Sequence, residues 1–154
     1  DLILLDAFSP GKCPQLWSEE FIQSLAALLA PGGRLLTYCR AAAVRNSLRH
    51  AGLELRSLLP KPGDVAGWSS GTLAFRLNEY EQYAPEIGPG WRGLSVMEEE
   101  HLQTRAGVPY RDPTGSDTAA LILKRRQHEQ AFVELPSTSA WKRKWGLARQ
   151  ACNF

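Results

Sequence analysis

Two short apolar runs on either side of one helix-length segment constrain the fold of this chain more than any other feature. The first run, Leu2 to Leu5, is continuous, as in a parallel strand covered on both faces. Residues from about Trp17 to Leu29 place apolar side chains at helical spacing, after Ser18 as the expected N-cap. A Pro31–Gly33 turn then leads into the second run, Arg34 to Cys39. Strand, helix and strand in this order predict a parallel α/β layer.

The pattern continues with one more helix and two more strands. Residues 41–51 predict the helix, and residues 53–59 and 72–77 predict the strands. Because no helix separates these last two strands, we expect them to pair in the antiparallel sense. Residues 1–77 thus predict an α/β domain. Residues 78–95, rich in proline and glycine, predict a linker. Residues 96–154 predict a mostly helical extension, with helices over 97–106, 117–132 and 139–150.

Composition narrows the function classes further. The 154 residues are 44% hydrophobic and 22% charged with a net charge of +2, and no apolar run has the roughly 18 residues of a membrane span. Cys13, Cys39 and Cys152 are widely spaced, which argues against disulfides and zinc and favours a reducing cytoplasm. The chain starts at Asp1, inside a strand pattern, and its only methionine is Met97. We therefore expect it to be the C-terminal part of a longer protein.

The carboxylate that ends the first strand is the strongest candidate for chemistry. Asp6 follows the apolar run and precedes a loop with two prolines. In open α/β sheets, ligands bind beyond the carboxyl ends of the strands. The alternative is that Asp6 only caps a turn through its side chain.

A family resemblance adds to this interpretation. Residues 6–17, D-A-F-S-P-G-K-C-P-Q-L-W, resemble the D-G-F-A-P-x-K-N-P-x-x-W motif of the methyltransferase domain of the tRNA 5-methylaminomethyl-2-thiouridine biosynthesis proteins. Residues 31–39 resemble the P-G-G-x-L-x-T-[FY]-[ST] strand of that family, and residues 70–74 resemble its P-G-T-[LV]-A segment. The later residues are similar to the extension of stand-alone members that lack an oxidase domain. The resemblance implies the C-terminal half of a class I, Rossmann-like methyltransferase sheet.

The activity that the resemblance implies is methyl transfer from S-adenosylmethionine to the exocyclic amine of 5-aminomethyluridine, with or without 2-thiolation, at the tRNA wobble position. S-Adenosylmethionine is then the cofactor and tRNA the partner, with no metal and no membrane. Asp6 would orient the amine and accept its proton, and Asp6, Ala7 and Phe8 would border the cofactor.

The resemblance also implies contacts with the RNA. Phe8 and Pro10 would shape the wall beside the methyl group, Lys12 would contact the tRNA backbone, and Phe8 or Tyr38 would stack on the wobble base. Trp17 packs the loop or stacks on a base. Arg111 either contacts RNA or forms an internal ion pair that fixes its own loop.

The sequence departs from the family pattern in two places. Residues 63–68 lack the basic G-R-K run, and no glycine-rich cofactor loop lies in these 154 residues. The resemblance therefore implies only the acceptor side of the site. We expect the chain to be inactive by itself. We also expect its exposed first strand to promote self-association. Two alternatives stay open: methylation of another amine or small molecule, and a non-catalytic tRNA-binding or assembly module.

Other charged and aromatic segments have simpler interpretations. Glu98 to Glu100 predict a solvated helix face, and the three histidines do not have metal-ligand spacing. From Lys124 onward, the sequence contains seven lysines and arginines but only two glutamates. This segment, with Trp141 and Trp145, either contacts RNA phosphates or is an amphipathic helix docked by its two tryptophans.

Overall fold

The computed structural model describes residues 1–60, 69–78 and 87–147. Its strands are β1 (Leu2–Leu4), β2 (Arg34–Thr37), β3 (Glu54–Leu58), β4 (Gly71–Phe75), β5 (Ile87–Gly88) and β6 (Trp91–Gly93). Its α-helices are α1 (Glu19–Leu28), α2 (Ala42–His50), α3 (Val96–Leu102), α4 (Ala119–Phe132) and α5 (Thr138–Lys144). Short 3-10 helices span Pro14–Trp17 and Arg105–Gly107. Three sequence predictions fall wholly or mainly outside the described residues. They concern the loop at 60–64, the segment 63–68 that lacks the basic G-R-K run, and Cys152.

The six strands form one mixed sheet in the order β1-β2-β4-β3-β6-β5. β1 and β2 are parallel, with Ile3 opposite Leu35. β4 lies between β2 and β3 and is antiparallel to both. The parallel pair and the antiparallel β3–β4 pair are confirmed as the sequence predicted.

β1 differs from the expectation of a strand covered on both faces. Among the described strands, β1 lies at the edge of the sheet and pairs with β2 alone. Leu2 and Leu4 are 60% and 67% exposed, whereas Leu5 is buried in the core. Among the described residues, no element covers the face that Leu2 and Leu4 share, and this is why a continuous apolar run is half exposed here.

The main core lies between the sheet and helices α1 and α2. The largest wholly buried apolar side chains of this core come from both layers and from α4: Trp17, Ile22, Leu35, Val44, Leu48 and Ile122. α1 begins where predicted, because the Ser18 hydroxyl accepts a 3.2 Å hydrogen bond from the Phe21 amide. Glu19 and Glu20 occupy the first turn, where the helix dipole favours negative charge.

Part of the predicted linker belongs to the sheet. β5 and β6 form a hairpin, and β6 pairs with β3, with Leu58 opposite Trp91. Gly90 supplies the positive φ of +89° that the tight turn needs. The linker prediction is therefore wrong for residues 87–93, while residues 79–86 lie outside the described part of the chain. Proline and glycine in this segment mark a hairpin turn.

The extension packs its helices against one another through capped ends and tryptophans. α3 begins with a capping box between Ser95 and Glu98. Trp141 of α5 is buried, and its Nε1 donates to the Met97 carbonyl at 3.0 Å. Trp145 Nε1 donates to the Glu100 carboxylate at 2.9 Å. The tryptophans therefore dock α5 on α3. The division of the chain into units at residues 1–77 and 96–154 stays a prediction.

Within residues 1–60, 69–78 and 87–147, no helix has both the length and the apolar character needed to cross a membrane. The same residues contain no group of three or more His, Cys, Asp or Glu side chains placed to hold a metal ion.

Candidate functional site

Two loops meet at the carboxyl ends of the parallel strands β1 and β2. Asp6 lies two residues beyond β1, and Tyr38 follows β2 directly. The Tyr38 hydroxyl donates a 2.7 Å hydrogen bond to the Ala7 carbonyl, so the two loops are in direct contact. The structure thus brings together Asp6, Ala7, Phe8 and Tyr38, which the sequence assigned to one site.

The backbone of residues 6–13 is fixed from beneath by aromatic side chains. Trp17 is completely buried, and its Nε1 donates to the Phe8 carbonyl at 2.6 Å. Its ring meets the Tyr38 ring edge-on, with centroids 6.2 Å apart. The Lys12 and Cys13 amides both donate to the Ser9 carbonyl, at 2.8 and 3.0 Å. Trp17 therefore packs the loop, and its indole is not available to stack on a base.

Above this backbone, the side chains of the loop point into solvent. Phe8 is 81% exposed. Asp6 and Lys12 are exposed, and their charged groups form no hydrogen bond or ion pair with the part of the chain that the structure describes. Asp6 does not cap a turn there, which removes the simpler interpretation of this carboxylate. The loop presents an unpaired anion, an unpaired cation and an aromatic ring on a rigid backbone.

Tyr38 is a hydrogen-bond donor at this site. Partial removal from water raises the pKa of its phenol above the ordinary value, with smaller contributions from Cys39 and the Asp6 carboxylate. The phenol therefore keeps its proton at neutral pH and can donate to the Ala7 carbonyl. Tyr38 is 47% exposed, so part of this residue is accessible to a ligand.

The end of β2 is held by buried hydroxyl groups and a close backbone crossing. Thr72 donates to the Cys39 carbonyl at 2.7 Å, and the Cys39 amide donates to the Thr37 hydroxyl at 3.1 Å. A Cβ atom at Gly71 would lie 2.5 Å from the Thr37 carbonyl oxygen, so only glycine fits there. Burial raises the pKa of the Cys39 thiol, which keeps it protonated.

Beneath Thr72 lies a buried charge network that the sequence did not indicate. Arg45 of α2 is 1% exposed, and its Nε donates to the Thr72 hydroxyl at 2.9 Å. Its remaining nitrogens contact the hydroxyls of Ser57 and Ser69, the Gly71 carbonyl and the Glu98 carboxylate. The Arg45–Glu98 ion pair, at 3.0 Å, links the α/β sheet to the extension.

The prediction of a solvated Glu98–Glu100 face is wrong for Glu98, whereas Glu99 and Glu100 are partly exposed. Glu98 is wholly buried and accepts hydrogen bonds from Ser57, from the Ser95 amide and from Arg92 at 2.7 Å. Although burial acts to raise its pKa, these hydrogen bonds lower the pKa of Glu98 to about 2. Glu99 pairs with Arg49, and Glu100 pairs with Lys144.

Arg111 lies at the N-terminus of α1 and is not in contact with the 6–13 loop in the described structure. Its Nε is 2.8 Å from Glu20 and 3.2 Å from Glu19. The Asp112 amide also donates to Glu20, at 2.7 Å. The hydrogen bond with Glu20 raises the pKa of Arg111. Arg111 therefore fixes its own loop, which is the second of the two interpretations that the sequence left open.

The arrangement suits proton transfer and recognition of a planar ring. A free carboxylate on a fixed backbone can hold a protic group and accept its proton. An exposed ring at its side can contact a base or a cationic group.

The fold matches the C-terminal half of a class I, Rossmann-like methyltransferase sheet, as the sequence predicted. A solved structure, MNMC2 from Aquifex aeolicus, has the same fold: the TM-score is 0.68 at 22% identity, covering 86% of this chain and 39% of that one. Residues 1–63 match the model of a family described as S-adenosyl-L-methionine-dependent methyltransferase.

Curated relatives are tRNA 5-methylaminomethyl-2-thiouridine biosynthesis bifunctional proteins MnmC. The relative from Azoarcus is 47% identical over 103 residues, covering 64% of this chain and 16% of its own length. The relative from Ralstonia nicotianae is 36% identical, covering 59% and 13%. The relative from Pseudomonas savastanoi is 26% identical, covering 88% and 24%. The chain spans at most about a quarter of these relatives, and the resemblance to their methyltransferase part is confirmed.

Sequence reasoning missed the residues that support the site. Thr72 lies in the segment that resembles P-G-T-[LV]-A, but the resemblance assigned no role to Thr72 or to Arg45. Their contacts are with partners distant in sequence, such as Glu98, which lies 53 positions from Arg45. One local signal exists: Arg45 follows A-A-A-V on the buried side of a short helix, where a cation requires partners.

Proposed function

We propose that this chain forms the acceptor side of an S-adenosylmethionine-dependent methyltransferase that acts on the exocyclic amine of 5-aminomethyluridine, with or without 2-thiolation, at the tRNA wobble position. The observation that supports the proposal most strongly is the unpaired Asp6 carboxylate on the fixed 6–13 loop, inside the segment that matches the methyltransferase family. Its location would be the cytoplasm, where tRNA is modified.

Asp6 acts on the amine in this proposal. Only the neutral amine has a lone pair for attack on a methyl group. The Asp6 carboxylate accepts a hydrogen bond from the amine nitrogen, orients it, and takes the proton that the nitrogen loses. Because Trp17 and Tyr38 fix the neighbouring carbonyls, the backbone that carries the Asp6 carboxylate is held in place before the substrate arrives.

The remaining loop residues bind the nucleotide. The exposed Phe8 ring stacks on the flipped wobble base, and the Tyr38 ring borders the same space. Pro10 shapes the wall beside the amine. Lys12 has no acidic partner among the described residues and contacts a phosphate.

S-Adenosylmethionine, when bound, supplies a methyl group activated on a sulfonium sulfur. The glycine-rich half of its site is not among these 154 residues, so we propose that the chain by itself does not catalyse transfer. Asp6, Ala7 and Phe8 contribute the part of that site that borders the acceptor.

Self-association through β1 is part of the proposal. Among the described residues no strand pairs with the outer edge of β1, and the strand has two exposed leucines. Such a strand pairs readily with another chain. Light scattering at tens of micromolar should give a mass above that of a monomer, and Leu4→Lys should restore the monomer. A monomeric mass for the unaltered chain would exclude this pairing.

The test of the activity is methyl transfer by a fusion in which the upstream methyltransferase residues of the Azoarcus relative precede residue 1. The fusion and the Azoarcus protein are incubated with methyl-labelled S-adenosylmethionine and tRNA that lacks the final wobble methyl. We expect the fusion to label this tRNA and Asp6→Asn to abolish the label, while Ser9→Ala retains it.

Controls separate the possible failures. A fusion that binds S-adenosylmethionine but leaves the tRNA unlabelled, while the Azoarcus protein labels it, would contradict the acceptor assignment. Transfer to a free amine in place of tRNA would favour a small-molecule methyltransferase.

A further inference from the structure

A series of hydrogen bonds, with one step along the backbone from Cys39 to Tyr38, joins the extension to the 6–13 loop. Glu98 of α3 pairs with Arg45, whose Nε donates to the Thr72 hydroxyl at 2.9 Å. Thr72 in turn donates to the Cys39 carbonyl at 2.7 Å. Tyr38, the preceding residue, donates to the Ala7 carbonyl at 2.7 Å. Each of these four hydrogen bonds joins residues that are distant in sequence.

We propose that Arg45 and Thr72 are positioning residues, which fix Tyr38 and through it the Asp6–Phe8 backbone, and that Glu98 of the extension holds Arg45 in this role. The inference rests on the proposed function for its consequence in catalysis. The positioning itself concerns only contacts inside this chain.

Thr72 is the decisive link because its single hydroxyl has two partners. It accepts from Arg45 and donates to the Cys39 carbonyl, and the side chain is wholly buried. Water cannot replace a lost partner at a site of this kind without rearrangement. At Gly71 the backbone passes so close to Thr37 and Tyr38 that a Cβ atom would not fit between them.

Glu98 is suited to hold Arg45 because it is paired on both oxygens. One oxygen contacts Arg45 and Ser57, and the other contacts Arg92 and the Ser95 amide. Because each partner comes from a different element, the carboxylate has one orientation only. The extension is thereby part of the support of the site, although none of the described contacts places its side chains on the 6–13 loop.

The experiment compares hydrogen exchange of individual amides, by NMR, in the full chain and three variants. Thr72→Val removes the hydroxyl and keeps the shape, and Thr72→Ser restores a hydroxyl. Ser47→Ala is the matched control, because within the described part of the chain this buried hydroxyl hydrogen-bonds only to the Ala43 carbonyl of its own helix. The informative amides are those of Cys39, Lys12 and Cys13.

We expect Thr72→Val to speed exchange at all three amides by about tenfold or more, as the loss of one buried hydrogen bond allows. Thr72→Ser should return them to within about threefold of the unaltered chain, and Ser47→Ala should leave them unchanged. The Ile22 amide in α1, which donates to the Ser18 carbonyl, should be slow throughout. A purely structural function of Thr72 would accelerate Ile22 as well.

Two results would overturn the proposal. One is unchanged exchange at Lys12 and Cys13 in Thr72→Val, which would show that the network ends at Cys39. The other is equal acceleration in Ser47→Ala. Glu98→Gln should reproduce the exchange pattern of Thr72→Val. If Glu98→Gln unfolds, the comparison of Thr72→Val with Thr72→Ser still tests the proposal. Neither readout involves methyl transfer or tRNA, so failure of the proposed activity would leave this result standing.

Discussion

In the 6–13 loop the backbone is fixed and the charged side chains are free, whereas in the Arg45–Glu98 network the charged side chains are buried and fully paired. Asp6 and Lys12 have no partner among the described residues. Arg45 and Glu98 are 1% and 0% exposed and have several partners each. Unpaired charges on a rigid backbone are available to a ligand, and paired buried charges are not. The 6–13 loop is thus suited to binding a ligand, and the Arg45–Glu98 network is suited to supporting the fold around it.

The largest expected effect comes from breaking the buried pair. Arg45→Met should lower the free energy of unfolding by about 3–5 kcal/mol, because Glu98 loses a buried partner. Arg49→Met is the matched control: its partner Glu99 is exposed, and the loss should be at most about 1 kcal/mol. Urea unfolding of both variants measures the difference. Equal losses would contradict the distinction between buried and exposed pairs.

Acidification should remove the contribution of Glu98. Its pKa of about 2 lies below the ordinary value of 4.5, so its contribution is present above pH 4.5 and is lost as the pH falls through about 2. The shift corresponds to about 3 kcal/mol. Urea unfolding between pH 7 and pH 2 should show a shallower decline for Glu98→Gln. The same slope in both proteins would show that other carboxylates dominate.

Truncating the aromatic support of the loop should have an intermediate effect. Trp17→Phe removes the hydrogen bond to the Phe8 carbonyl from a wholly buried site and should cost about 2 kcal/mol. Trp145→Phe removes a similar hydrogen bond to Glu100 at a half-buried site and should cost less than about 1 kcal/mol. Thermal unfolding compares the two. A smaller loss at Trp17 would contradict its function as the anchor of the loop.

The smallest effect on stability should come from the candidate catalytic residue. Asp6→Asn should change the free energy of unfolding by no more than about 0.5 kcal/mol, and should reduce methyl transfer in the fusion by about 10²-fold or more. Asp112→Asn should show the opposite, a clear loss of stability. Asp112 is buried, and its carboxylate accepts a hydrogen bond from the Asp117 amide. A large loss of stability in Asp6→Asn would indicate a structural carboxylate.

Local patterns predicted the elements that they encode. Ser18 identified the start of α1, and the apolar runs identified β1 to β4, because capping and hydrophobic spacing depend on neighbours in sequence. The resemblance at residues 6–17 identified the loop that carries Asp6. It gave no information on whether that carboxylate is paired, since pairing depends on the three-dimensional surroundings.

Long-range contacts could not be predicted in this way. Glu98 was expected to be solvated, yet four partners from other positions in the chain surround it. The segment that forms the β5–β6 hairpin was expected to be a linker. Its pairing with β3 depends on the fold and gives no pattern in the local sequence. Arg111 had two possible partners, and only the fold places Glu19 and Glu20 within its reach.

The most direct test of the central claim is to locate the wobble base on this chain. A tRNA anticodon stem-loop with 4-thiouridine at the wobble position is bound to the full chain, irradiated and mapped by mass spectrometry. We predict crosslinks to Phe8 or Tyr38, which decrease in Phe8→Ala and persist in Asp6→Asn. Crosslinks confined to the basic helices α4 and α5, with none on the 6–13 loop, would contradict the account and favour a binding module.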